Sequence, residues 1–175
     1  GTTVEGWLPA GTLKSFHSQD LCRSMFGKPA EHYNAMIHPL VPMALRGVVW
    51  YQGESNSDQP AVYAKLLNKM VGAWRHEFRR RDLPFVVIQL PAYNAPFTQR
   101  FFTWIREQQE IVAEKTKGTS LVVTYDTHDG SDLHPLEKTV IGERAGMLAR
   151  QEVYGEHIVA SGPKYKSHAI DGSQV

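Results

Sequence analysis

The chain has little cysteine, almost no excess of charge of either sign and no long hydrophobic run. Its single cysteine, Cys22, excludes an internal disulfide and a Cys-x-x-Cys site for zinc or redox chemistry. Nineteen Lys and Arg residues balance 18 Asp and Glu residues, whereas a nucleic-acid-binding protein usually has a clear basic excess. The longest apolar segments are strand-sized, well below the roughly 18 residues that a membrane span needs. The sequence therefore predicts no nucleic-acid partner and no membrane span.

The composition is typical of a globular unit rather than of a disordered chain. The 175 residues are 42% hydrophobic and include four Trp, seven Tyr and seven Phe. Disordered segments contain few aromatic residues, and a folded chain of this length buries roughly 70% of the surface that its unfolded form exposes. We therefore expect one substantial hydrophobic core.

Short apolar runs alternate along the chain with longer segments of helical periodicity. The predicted strands cover 47–51, 85–90 and 120–125, and the predicted helices cover 60–78, 103–115 and 136–154. Three consecutive strand-helix units indicate an α/β fold, a doubly wound parallel sheet with helices on both faces. The first run is continuously apolar, so we expect that strand to be buried on both faces. Trp50, Trp74 and Trp104 lie on apolar stripes and are predicted to be core residues.

The loops that follow the strands hold the candidate chemistry. In an open parallel sheet these loops gather at the carboxyl ends of the strands, where ligands bind. The third loop contains Asp132 and His134, and their spacing allows the carboxylate to hold the imidazole as the orienting acid of a general base. On spacing alone, a solvated or turn-forming polar loop is the simpler interpretation. A rival use of the loop is a metal site, in which His128 and Asp129 join these two residues.

A second candidate lies in the loop after the first strand. The segment 53–57 reads G-E-S-N-S, close to the G-x-S-x-G nucleophile elbow, and Ser55 would be the nucleophile of an α/β-hydrolase. The final glycine of that motif is missing, and the predicted helix starts later than the serine. We interpret Ser55 as a loop or capping residue and keep the nucleophile elbow as an alternative.

Several ordered blocks of the sequence resemble a known family. The blocks are 33–40, 46–56, 83–85, 89–91, 106–108 and 132–135, followed by Lys138, Gly142 and Arg144. The motifs W-Y-Q-G-E-S-N and D-L-H-P are ordered blocks, which makes the match specific. Together they closely resemble the sialate O-acetylesterase family of SGNH-type carbohydrate esterases, over most of the chain.

The resemblance implies a fold, a reaction and a pair of catalytic residues. The implied fold is a flavodoxin-like SGNH hydrolase sheet, and the implied reaction removes O-acetyl groups from sugars by a Ser-His-Asp mechanism. His134 corresponds to the general base and Asp132 to its orienting acid, with Asp129 as the alternative acid. No metal and no other cofactor is implied.

The resemblance also implies a set of residues that position the substrate and the oxyanion. Gln52, with Glu54 and Asn56 nearby, falls in the block that supplies these donors. Gly1 begins a segment similar to the tail of a glycine block, which gives a backbone N–H to the same oxyanion hole.

One expected element of the family pattern does not occur in this sequence. The nucleophilic serine of the family lies in an upstream block of the type G-Q-S-N-M, so we expect the nucleophile, and the first strand or strands of the sheet, outside these residues. Residues 1–160 are then part of an esterase catalytic domain, and 161–175 are a tail leading toward a β-rich segment.

The resemblance sets expectations for partners and location. The expected partners are an acetylated sugar, either sialic acid or a polysaccharide, and the protein's own N-terminal part as a second chain. The expected location is secreted, periplasmic or lysosomal. The alternative is a non-catalytic sugar-binding module or an inactive fragment of such an esterase.

Overall fold

The computed structural model describes residues 1–17, 21, 28–94, 101–134, 136–172 and 174. Within these residues it contains three strands, β1 (Val48–Tyr51), β2 (Phe85–Ile88) and β3 (Thr119–Val122). The α-helices of the same residues are α1 (Tyr63–Glu77), α2 (Phe102–Lys115) and α3 (Thr139–Glu152). None of the described helices combines the length and the apolar character needed to cross a bilayer.

The strands form a parallel sheet in the order β1-β2-β3. Phe85 at the start of β2 is in register with Val48 on one side and Thr119 on the other. All four residues of β2 are buried, which agrees with the continuous apolar run that predicts a strand covered on both faces.

Helices cover both faces of the sheet. Successive side chains of β2 point to opposite faces, so alternate residues enter two different clusters. Phe85 and Val87 belong to the larger cluster, which α1 and α2 cover. Val86 and Ile88 belong to a smaller cluster, in which α3 contributes Ile141 and Leu148. The prediction of a doubly wound parallel sheet is confirmed.

The prediction that the first strand is buried on both faces is wrong. β1 is an edge strand of the described sheet. Trp50 points into the core, but Val49 is 62% exposed and Tyr51 is 37% exposed. α3 packs on β2 and β3 rather than on β1, so the second face of β1 is left uncovered.

Trp104 is not a core residue, whereas Trp50 and Trp74 are buried as predicted. Trp104 is 54% exposed, and its ring stacks on that of Phe101 with centroids 4.9 Å apart. The buried stripe of α2 consists of Phe102, Ile105, Gln109 and Val112. Trp104 is rotated about 100° around the helix axis from Ile105, so it falls outside this stripe.

The N-terminal residues pack against the same face as α1. The indole rings of Trp7, Trp50 and Trp74 meet edge to face, with successive centroids 5.8 and 6.0 Å apart. The indole N–H of Trp74 donates a hydrogen bond to the carbonyl of Trp7 over 2.9 Å. These contacts bring the first residues of the chain to the carboxyl end of β1.

Candidate active site

Contacts between loops hold together the end of the sheet at which all three strands finish, which we call the carboxyl edge. The backbone N–H of Asn94, after β2, donates to the carbonyl of Gly130, after β3, over 2.9 Å. Gly130 has a φ of 86°, and a Cβ there would lie 3.2 Å from Nδ2 of the Asn94 side chain, so the position favours glycine. The ammonium of Lys138, just before α3, lies 5.3 Å from the centroid of the Tyr51 ring at the end of β1. The predicted convergence of loops is confirmed by these contacts.

Gln52, the first residue after β1, is buried and makes hydrogen bonds through both its side-chain amide and its backbone carbonyl. Its side-chain nitrogen donates to the carbonyl of Thr2 and to Oδ1 of Asn56, each over 2.8 Å. Its backbone carbonyl accepts from the Tyr63 hydroxyl over 2.8 Å and from the Gln109 amide over 3.0 Å. Burial raises the pKa of Tyr63, so its hydroxyl stays protonated and acts as a donor.

Asn56 connects this turn to the start of the chain. Its Oδ1 also accepts from the backbone N–H of Val4 over 3.0 Å, and its Nδ2 donates to the carboxylate of Glu5 over 2.9 Å. Asn56 and Glu5 are both buried. A buried carboxylate is tolerated when it is hydrogen-bonded, so this network fixes the N-terminal segment onto the turn after β1.

The remaining residues of the predicted positioning block lie on the same turn. The Glu54 carboxylate accepts from the backbone N–H of Gly53 over 3.0 Å. A Cβ added at Gly1 would lie 2.8 Å from the Ser55 hydroxyl. The structure thus brings Gly1, Gln52, Glu54 and Asn56 into one cluster. Both side-chain N–H groups of Gln52 are used within the chain, and the oxyanion role of the cluster stays a prediction.

The nucleophile elbow at Ser55 is not formed. Ser55 is the middle residue of a short 3₁₀ turn, Glu54–Asn56, and α1 begins only at Tyr63. A nucleophile elbow places the serine on the sharp turn that leads from the strand straight into the helix. The interpretation of Ser55 as a loop residue agrees with this geometry.

His134 and Asp132 lie on the loop between β3 and α3, and both are exposed. Oδ1 of Asp132 accepts a hydrogen bond from the backbone N–H of His134 over 2.9 Å. The carboxylate therefore fixes the backbone that carries the imidazole. Leu133, between them, is partly buried against the main core, which anchors this part of the loop.

Asp129, the alternative acid, is engaged with its own turn. Its Oδ1 accepts from the backbone N–H of Ser131 over 2.9 Å and from the Ser131 hydroxyl over 2.6 Å. These hydrogen bonds lower the pKa of Asp129. The ring of His128 lies 3.5 Å from the same oxygen. Among the described residues, the candidate acid that is hydrogen-bonded to His134 is Asp132, and the bond is to the backbone N–H rather than to the imidazole.

The rival metal site does not assemble. In the part of the chain that the structure describes, no group of three or more His, Cys, Asp or Glu side chains is placed to hold a metal ion. His128 and Asp129 are near each other, while Asp132 bonds the backbone of His134.

An ion pair that the sequence pattern did not predict lies at the start of this loop. The Arg144 guanidinium, on α3, donates to both carboxylate oxygens of Asp126 over 2.7 Å and to the carbonyl of Val123 over 2.7 Å. The hydrogen bonds from Arg144 lower the pKa of Asp126 to about 2. The sequence signal for this pair is limited to an acid directly after the predicted strand 120–125 and an arginine on the next predicted helix.

The fold and this edge define the class of protein. A parallel sheet with helices on both faces, a buried amide cluster after β1 and a histidine loop after β3 form an α/β protein with an SGNH-like hydrolase fold. The family model for "Carbohydrate esterase, sialic acid-specific acetylesterase" matches residues 1–151. The chain belongs to this carbohydrate esterase family, which confirms the resemblance read from the sequence.

Similar proteins carry related names. Sialate O-acetylesterase of Rattus norvegicus is 33% identical over 157 residues, covering 77% of this chain and 29% of that protein. The Homo sapiens protein of the same name is 30% identical over 188 residues, covering 93% of this chain and 36% of that protein. The crystal structure of a carbohydrate acetylesterase from Xanthomonas citri has a TM-score of 0.84 at 31% identity, covering 97% of this chain and 39% of that one. The chain thus spans about a third of the length of these relatives.

Proposed function

We propose that these residues supply the base, its orienting acid and the positioning block of an esterase that removes O-acetyl groups from sugars. The observation that carries the proposal is that the family match includes the loop on which His134 is exposed, at the carboxyl edge of the sheet. The names of the similar proteins, sialate O-acetylesterase and carbohydrate acetylesterase, support an acetylated sugar as substrate.

In the proposed reaction a serine hydroxyl oxygen attacks the acetyl carbonyl carbon while the imidazole of His134 takes the hydroxyl proton. The bond between that carbon and the sugar oxygen then breaks, and the sugar oxygen leaves as an alcohol with the proton from His134. Water attacks the acetyl-serine in the same way, so the products are acetate and the free serine. Asp132 stabilises the loop position of His134 through the backbone bond.

The serine in this proposal lies outside the 175 residues. Two observations support this assignment: the sequence contains no G-Q-S-N-M type block, and Ser55 does not occupy a nucleophile elbow. The cluster of Gln52 and Asn56 holds the backbone of residues 2–5 at the same edge. We propose that this held backbone, with Gly1 at its start, forms the wall of the oxyanion site.

The test is the hydrolysis of an aryl acetate and of O-acetylated sialic acid by the full natural polypeptide that contains these residues. His134→Asn removes the base, so we expect turnover to fall by about 10³-fold to 10⁴-fold. The matched control is His157→Asn, because His157 is also exposed but lies beyond α3. Circular dichroism of each variant checks the fold.

Two outcomes would contradict the proposal. One is full turnover by the His134→Asn enzyme, and the other is a wild-type polypeptide that binds the sugar but neither hydrolyses an acetate nor reacts with a fluorophosphonate. The second outcome would identify a non-catalytic sugar-binding module.

A further inference from the structure

Arg106 lies at the carboxyl edge, between the ends of β2 and β3. It is the fifth residue of α2 and is half-buried. Nη1 donates to the carbonyl of Pro91, three residues past β2, over 3.2 Å. The guanidinium carbon lies 5.3 Å from the centroid of the Tyr125 ring, three residues past β3. Its charged group therefore borders the region where the loops converge.

The hydrogen bonds that Arg106 makes within the described residues leave most of its donors unused. A guanidinium has five N–H donors. Those of Arg106 bind the Pro91 carbonyl and, through Nη2, the Thr103 hydroxyl over 3.1 Å. Both acceptors are neutral, and the ion pairs in the described part of the chain involve other residues. The positive charge of Arg106 thus has no carboxylate in contact with it there.

The acidic residue next to Tyr125 in the sequence is already paired with another arginine. Asp126 follows Tyr125, but both of its carboxylate oxygens accept from Arg144. Tyr125 itself is 60% exposed, and its ring lies against the Arg106 guanidinium. Burial lowers the pKa of Arg106, which indicates partial desolvation of a group that nevertheless stays charged.

Arg75 shows what a purely structural arginine looks like in the same molecule. It lies on α1 and its guanidinium faces the Phe85 ring, 5.8 Å from the centroid, at the amino end of β2. Its donors bind three backbone carbonyls, those of Leu83, Lys117 and Gly118, over 2.9 to 3.1 Å. Both arginines face an aromatic ring, but Arg106 lies at the opposite edge of the sheet and binds a single carbonyl through its side chain.

We propose that Arg106 binds the carboxylate of an acidic sugar and so selects an O-acetylated sialic acid over a neutral acetylated sugar. The inference rests on the proposed esterase function. A guanidinium and a carboxylate form two parallel hydrogen bonds, and such charge-assisted bonds are stronger than those between neutral groups. The description of the matched family as sialic acid-specific is consistent with a ligand of this charge.

The test compares KM for O-acetylated sialic acid with KM for its carboxyl methyl ester, using the full natural polypeptide. The two substrates differ only at the carboxyl group, which is an anion in the acid and a neutral group larger by one methyl in the ester. We expect the wild type to prefer the acid by about tenfold to a hundredfold in KM, the loss expected when a charged hydrogen bond is removed. Arg106→Gln should abolish this preference, so that the ratio of the two KM values is about one. Arg106→Lys should retain part of the preference.

The control variant is Arg75→Gln, which should lower thermal stability but keep the wild-type ratio of the two KM values. A wild type that does not discriminate between acid and ester, or an Arg106→Gln enzyme that keeps the ratio, would overturn the proposal.

Binding of non-acetylated sialic acid, measured by calorimetry on wild type and Arg106→Gln, separates this inference from the proposed function. If the polypeptide hydrolyses no acetate but binds sialic acid at least about tenfold more tightly than the variant, the esterase proposal fails and the role of Arg106 stands. Equal affinities would reject the role of Arg106 whether or not the polypeptide is an esterase.

Discussion

The two halves of the carboxyl edge are built in opposite ways. Around the turn after β1, the side chains of Gln52, Asn56 and Glu5 are buried and hydrogen-bonded to one another or to backbone. On the loop after β3, Asp132 and His134 are exposed, and the hydrogen bond between them reaches only the neighbouring backbone.

This difference separates the rigid framework of the edge from the part that we propose to be reactive. A polar group that loses its partner in a buried network has no water to replace it, so the network holds one geometry. Water can replace a lost bond on an exposed loop. The turn after β1 therefore fixes the position of the N-terminal backbone, while the loop after β3 presents an imidazole that a substrate can reach.

The largest effect is expected from breaking the buried network. Asn56→Ala removes the acceptor for the Val4 N–H and for Gln52, and it removes the donor to Glu5. Because removing one partner of a buried hydrogen bond costs about 1 to 3 kcal/mol, we expect a total loss of about 3 to 5 kcal/mol in the free energy of unfolding. Urea denaturation measures it.

A matched control for Asn56 lies on α1. Asn68 donates to the Thr116 hydroxyl at an exposed position, so Asn68→Ala should cost about 0.5 kcal/mol or less. Equal losses for the two variants would show that burial does not distinguish the network from a surface hydrogen bond.

A smaller effect is expected at the ion pair that anchors the start of the β3 loop. The side chains of Asp126 and Arg144 are both accessible to solvent, so Asp126→Asn should lower the free energy of unfolding by about 1 kcal/mol or less near pH 7. The bidentate ion pair with Arg144 should then be lost.

The same pair gives a pH dependence of known sign. The pKa of Asp126 falls from 3.8 to about 2 on folding, so the unfolded chain binds this proton more tightly. Its contribution is present above pH 3.8 and is lost as the pH falls toward 2. Denaturation of wild type and Asp126→Asn across this range should show the difference between them shrinking on acidification. A difference that stays constant down to pH 2 would contradict the assignment.

The sequence was sufficient to predict the central parts of the fold. β2 is a continuous apolar run that is buried on both faces, and Trp74 on α1 is buried as predicted. β1 has the same kind of run, yet Val49 is exposed. A run of apolar residues does not reveal whether a strand has neighbours and helices on both sides, because those come from distant parts of the chain.

The candidate site shows the same limit. The loop at His134 was predictable because it follows a strand, whereas the cluster around Gln52 was expected from the family resemblance. The partnership of Glu5 with Asn56 spans 51 residues, and that of Asp126 with Arg144 spans 18. Neither has a local pattern, since hydrogen bonds of this kind depend on how the elements pack.

The most direct test is a crystal structure of the full natural polypeptide after reaction with a fluorophosphonate. We predict phosphorus bound to a serine outside these 175 residues, with a ring nitrogen of His134 within about 3.2 Å of the modified serine oxygen. Phosphorus on Ser55, or an imidazole of His134 beyond hydrogen-bond reach of the modified oxygen, would contradict the proposed role of the loop after β3.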